Sequence, residues 1–187
     1  MPALFLTLIA AALAVAGGRS ALLVARLSAA LGPRFGLLAA GWITAAATSA
    51  LAAWAGALVA PLMPPAGKTM FAAAALAIAA LELLLASSRR APAEPTRSLG
   101  AIALVLFAGQ LTDAARFLVL ALTVATGEPV LAAVGGALGG GAMLTGSWAL
   151  GADWEKHVFL RTIRFAAASL FGLAAVVTAL AARGLIG

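Results

Sequence analysis

The sequence predicts an all-α integral membrane protein, six transmembrane helices arranged as two inverted three-helix repeats, and three observations carry that expectation. Of its 187 residues 64% are apolar and 10% charged, with a mean hydropathy of +1.12, whereas soluble domains are close to half apolar and about a quarter charged. A chain this short leaves much of its surface outside any core, so the medium around it must itself be apolar. Turn signals divide the chain into six apolar stretches of spanning length, which is about 20 residues. The third observation is that the chain matches itself at a nearly constant offset.

The first stretch runs from Ala3 to Leu31 and stops at Gly32-Pro33, and the second runs from Phe35 to Val59 and ends among Pro61, Pro64, Pro65 and Gly67. The third covers Met70 to Ser87. It is followed by residues 89–97, which hold Arg89, Arg90, Pro92, Glu94, Pro95 and Arg97 and read as a cytoplasmic linker between the repeats 1–88 and 98–187. The fourth covers Leu99 to Ala125, stopped by Gly127-Glu128-Pro129. The fifth covers Val130 to Leu150 and gives way to Asp153-Trp154-Glu155-Lys156-His157, and the last covers Ile163 to Ala182. Ala14-Val15-Ala16 resembles a signal-peptidase site, but Met1-Pro2-Ala3-Leu4 lacks a positive n-region, so the first stretch is expected to stay as a helix.

An offset of 95 (127 − 32) pairs Leu23 with Leu118, Val24 with Val119, Leu27 with Leu122, Gly32 with Gly127, Gly41 with Gly136 and Gly56 with Gly151. An offset of 94 then pairs Phe71 with Phe165 and Leu76 with Leu170. Identities in alanine-rich helices arise easily by chance; matched helix ends, each a glycine close to a proline, do not. Three helices per copy is an odd number, so the second copy enters the bilayer from the opposite face.

Arg34, Arg89, Arg90, Arg97, Lys156, Arg161 and Arg164 collect on one side of this arrangement, and only Lys68 and Arg183 on the other. By the positive-inside rule the first side is cytoplasmic and both termini are non-cytoplasmic, in a multi-pass protein of the cell membrane, of bacterial inner-membrane type. The charge of +6 therefore reads as loop asymmetry. No basic patch is interleaved with aromatics, and nucleic acid is not an expected partner. The chain has no cysteine, which leaves no disulfide framework or thiolate metal site.

Ionisable groups at membrane depth are costly and point to function by default. The first helix carries Gly17-Gly18-Arg19-Ser20 near its middle; the fourth carries Gln110-Leu111-Thr112-Asp113-Ala114-Ala115-Arg116 at the matching depth, Gly18 aligning with Asp113. These segments resemble the small six-helix cation/proton antiporters that include the Golgi calcium and manganese transporter and bacterial manganese exporters, in which each half carries E-x-G-D-[KR]-[ST]. Val15-Ala16-Gly17-Gly18-Arg19-Ser20 keeps the glycine, the basic residue and the hydroxyl of that motif without its acids, and Gln110 to Ala115 keeps only the second acid. The resemblance extends in layout over nearly the whole chain. It implies a transporter fold whose motif acids converge at mid-membrane on a divalent cation, manganese or calcium.

The candidate site is accordingly Asp113, the single expected metal ligand, with Gln110, Thr112, Ser20, Thr48 and Ser49 as neutral oxygens and Arg19 as a competing internal cation. A dehydrated divalent ion takes about six oxygens with several carboxylates among them, so this set suits a monovalent ion, a proton relay or a small solute as well. The alternative is structural: Asp113 pairs with Arg116, at i and i+3 on one helix, or with Arg19. Glu82 is expected to snorkel toward the basic end near Arg89 in preference to a gating role, and His157 to be a solvated loop residue. Gly135, Gly136, Gly139, Gly140 and Gly141 predict close helix packing, and Trp54 and Trp154 interface anchors. Two functions remain open: a divergent cation/proton antiporter, or a non-transporting scaffold or partner subunit on the same fold. No enzyme and no cofactor are expected. The lipid bilayer, and a second copy or another membrane protein, are the expected partners.

Overall fold

The computed structural model describes residues 2–85, 98–154 and 160–185; the linker 89–97, with Arg89, Arg90 and Arg97, and the loop residues Glu155, Lys156 and His157 lie outside the described residues. The helices are α1 (Pro2–Ala16), α2 (Arg19–Leu31), α3 (Phe35–Val59), α4 (Pro65–Leu85), α5 (Leu99–Leu111), α6 (Ala114–Thr126), α7 (Pro129–Leu150) and α8 (Leu160–Ala182), with a 3₁₀ turn at Ala60–Leu62. Pro65 and Pro129 each stand at a first helical position, where proline's missing N–H costs nothing. For that reason α4 starts earlier than the proline cluster suggested from sequence.

The expected first and fourth helices are not continuous. α1 and α2 meet at 57°, and α5 and α6 at 53°. At the first break Gly18 adopts an extended conformation (φ −81°, ψ 173°), and a Cβ there would stand 2.8 Å from the Ala14 carbonyl oxygen. Glycine is what the tight turn admits, and two glycines in series weaken the helix by about 1 kcal/mol each. Asp113 takes the same backbone conformation at the second break (φ −83°, ψ 144°). Beyond the breaks, α2 and α6 end on glycines of positive φ, Gly32 at +82° and Gly127 at +72°.

α2, α3 and α4 begin at Arg19, Phe35 and Pro65; α6, α7 and α8 begin at Ala114, Pro129 and Leu160, an offset of 94 or 95 each time. α3 and α7 pack against each other at the centre, α1 lies along α7, α5 lies along α3, and α4 pairs with α8. α4 also rests on α6, whereas α8 makes no comparable contact with α2.

Small residues make these contacts possible. Cβ atoms on Gly135 and Gly139 would collide with the α1 backbone at Leu4 and Leu8, and one on Gly141 with the Trp42 ring, 2.5 Å away. The core is largely alanine with buried Val15, Val24, Leu37, Leu106, Leu118 and Leu144, while Phe5, Ile43, Leu104 and Leu173 are all more than half exposed. That distribution suits a lipid surround, where small residues let helices approach and large apolar ones face outward. Trp54 fits an outward position at 62% exposure; Trp154 does not, being 5% exposed and packed over Gly146. Among the described residues four helices are long and apolar enough to cross a membrane, or up to six if each bent pair is one span.

Candidate functional site

The two breaks meet. Ser20, in the first turn of α2, donates its hydroxyl to Asp113 Oδ2 at 2.9 Å across 93 residues of sequence. Asp113 is the N-cap of α6, at a helix end whose unpaired N–H groups favour negative charge.

Next to it lies a second buried polar group. Thr44 and Thr48 are one turn apart on α3 and so project from one face. Gln110, in the last turn of α5, donates Nε2–H to Thr44 Oγ1 at 3.1 Å, and its Oε1 accepts from the Thr48 hydroxyl at 3.1 Å. Arg116, in the first turn of α6, donates from Nε to Thr48 Oγ1 at 2.6 Å and from Nη2 to Gln110 Oε1 at 2.9 Å. The guanidinium thus ties α6 to both α5 and α3, bracing the bend on which Asp113 sits. Gln110, Asp113 and Arg116 are 1%, 5% and 3% exposed, and Thr48 and Ser49 are fully buried.

This arrangement joins most of the residues expected from sequence. Asp113 and Ser20 pair directly; Gln110, Thr48 and Arg116 form the adjoining network; Ser49 lies beside Gly136. Thr112 is exposed and donates to Gly109 O, so it contributes no oxygen to the cluster. Arg19 is exposed on α2 and its field acts on Glu82. The expected helix-internal pair takes a different form: Asp113 and Arg116 interact electrostatically, but no hydrogen bond joins them.

Two residues enter that were not assigned to the site from sequence. Thr44 is the first; its placement i−4 from Thr48 was the available signal. Glu82 is the second. It is half-buried on α4, with the Ala114 N–H, Asp113 and Arg19 all close enough to act on it. Arg164, on α8, donates from Nε and Nη2 to Leu83 O at 3.3 and 3.1 Å, and its aliphatic part lies against Gly17 at the first break.

The chemistry of the centre lies in what is left unpaired. Asp113 Oδ1, Arg116 Nη1 and Ser49 Oγ are buried without a hydrogen-bond partner. Buried charged groups are ordinarily fully paired, because each unpaired one costs several kcal/mol. Among the described residues no group of three or more His, Asp or Glu side chains is placed to hold a metal ion.

Among the described residues, fold and site together define a helical protein with four membrane-length helices and two bent helix pairs that meet at a buried polar centre. No family model matches the chain, and no curated protein or solved structure shows significant similarity to it.

Proposed function

We propose that this chain is a multi-pass membrane transporter built as two inverted three-helix repeats, with its transport site where the two helix breaks meet. The observation that carries this is the pair of broken helices, offset by 95 at Arg19 and Ala114, enclosing charged atoms that have no hydrogen-bond partner. Discontinuous spanning helices with their ends turned toward a central site are how secondary transporters expose polar backbone and side chains at mid-membrane. The basic ends carrying Arg34 and Arg161 are cytoplasmic in this reading and both termini are outside, while Arg164, packed against Gly17, lies beside the first break.

The cargo expected from the antiporter resemblance, manganese or calcium, finds a poor ligand set here. Asp113 and, further out, Glu82 are the acids near the centre, and the Arg116 guanidinium stands among the neutral oxygens that would have to complete the shell. The scaffold reading draws support from the same network, which holds Arg116 in place without any solute.

Flux into proteoliposomes separates the two. A transporting chain moves a solute or dissipates a proton gradient, and Asp113→Asn lowers that flux at least about tenfold, the loss of one charge-assisted contact. A wild-type protein that stays folded and moves nothing under any imposed solute or proton gradient is a scaffold.

A further inference from the structure

We infer that the buried centre takes a small zwitterion, a solute bearing a carboxylate and an ammonium group close together, as an α-amino acid does, instead of a bare metal cation. The inference rests on the transport reading above and names the cargo.

It starts from the orientation of Arg116. Nε and Nη2 are held by Thr48 and Gln110, which fixes the plane of the guanidinium, while Nη1 has no partner. A Cβ built on Gly140 would lie 3.5 Å from both Nη1 and Nη2, and the next nearest atom is Val15 Cγ2 at 3.8 Å. Both terminal nitrogens are therefore nearer to that point than the carbon between them, so the guanidinium presents its forked edge, not its flat face. That edge is the one that receives a carboxylate through two parallel N–H···O bonds. It points at Gly140 on α7, whose Cβ position is already in ordinary contact with both nitrogens, so a carboxylate enters the fork as α7 draws back from α6 and a methyl group there would block it.

The opposite charge sits one turn away. Asp113 uses Oδ2 for Ser20; the Ala114 and Ala115 N–H groups at the helix start also act on the carboxylate, and Oδ1 still completes no hydrogen bond. A carboxylate oxygen in that position asks for a donor, and an ammonium group satisfies it with its charge as well as its proton. The Ser49 hydroxyl, also unpartnered, adds a neutral group that accepts or donates. A bare cation answers Asp113 and is repelled by Arg116; a bare carboxylate does the reverse. A zwitterion answers both, and its zero net charge leaves the buried centre no more charged when loaded.

Purified protein in detergent, thermally unfolded in the presence of a panel of the proteinogenic α-amino acids, acetate, methylammonium and MnCl2, tests this. At least one amino acid should raise the unfolding midpoint, as any ligand of the native state does, and acetate, methylammonium and MnCl2 should not. Arg116→Lys keeps the charge and loses the fork, and should weaken amino-acid binding about tenfold or more. Gly140→Ala places a methyl group at ordinary contact distance from both nitrogens, so it should leave the fold intact and still abolish the stabilisation. Stabilisation by MnCl2 alone, or by an amino acid equally in Gly140→Ala and wild type, overturns the zwitterion site. So does the absence of stabilisation by any probe, the outcome expected if water alone bridges Asp113 and Arg116. In each case flux of another solute or of protons in proteoliposomes leaves the transporter reading standing; no flux at all removes both.

Discussion

Arg116 and Asp113 lie three residues apart around a helix start, and the structure directs them to different partners. Each moderates the other's burial through its field, so removing one leaves the other uncompensated. Asp113→Asn should therefore lower stability by roughly 1–3 kcal/mol, and by clearly less when Arg116 is already Met, since that background holds no stranded cation. A double-mutant cycle on thermal unfolding measures the difference; strict additivity would show that the two charges do not sense each other. Much of this centre is legible in the sequence because polar residues within its apolar stretches are few: Asp113, Gln110, Ser20, Thr48 and Ser49 stand out against alanine and leucine. Thr112 and Arg19 stand out equally, and both are exposed. A break resets the helical phase, so spacing along the chain does not tell which side of the bend a residue faces. Glu82 escapes a reading from spacing for a different reason. It sits near the end of α4, and only the packing of α4 on α6 brings it to the Asp113 turn.

At the scale of the element, the breaks are the feature that hydropathy conceals. An apolar run with one polar interruption reads as one span, and the bends of 57° and 53° appear only once the local backbone is known. Gly17-Gly18 was a visible weak point, whereas the second break has no glycine pair and relies on Thr112 and Asp113, which favour capping and turn conformations over helix interiors. Gly18→Ala should lower stability by about 1–3 kcal/mol, because its methyl group would stand 2.8 Å from the Ala14 carbonyl in a turn that has no slack. Gly139→Ala should be at least as harmful, driving α7 off the Leu8 backbone of α1. Gly109→Ala is the control. Nothing lies within 4 Å of its Cβ position, and gaining alanine in a helix should leave stability unchanged or raise it by up to about 1 kcal/mol. Equal effects at the three sites, read from thermal unfolding, would mean that helix propensity and not packing decides them.

At the scale of the whole molecule, the contacts follow the offset in their main pairs but not throughout: α1 packs on α6 and touches α8, whereas α5 barely meets α2 and makes no comparable contact with α4. Under the offset, α1 on α7 exchanges with α5 on α3, while α3 on α7 and α4 on α8 map onto themselves. α4 on α6 should then be matched by α8 on α2, and no comparable contact exists. In an inverted-repeat transporter such an imbalance is what one of two states looks like: one half is closed on its neighbour, the other is open, and the second state exchanges the roles. The geometry names the positions to watch. Glu82 faces Ala114 in this state, and the equivalent pair at an offset of 95 is Val177 and Arg19, both exposed here. Because the chain has no cysteine, paired cysteines can be introduced without background. Cysteines at Glu82 and Ala114 should be joined by a short bifunctional maleimide in the resting protein. Cysteines at Arg19 and Val177 should be joined only when a solute or proton gradient drives the other state, and locking that pair should stop flux. A pair at Arg19 and Val177 that never forms under any gradient, while the first pair forms completely, would describe a rigid molecule with a single conformation, and the transport reading would fall with it.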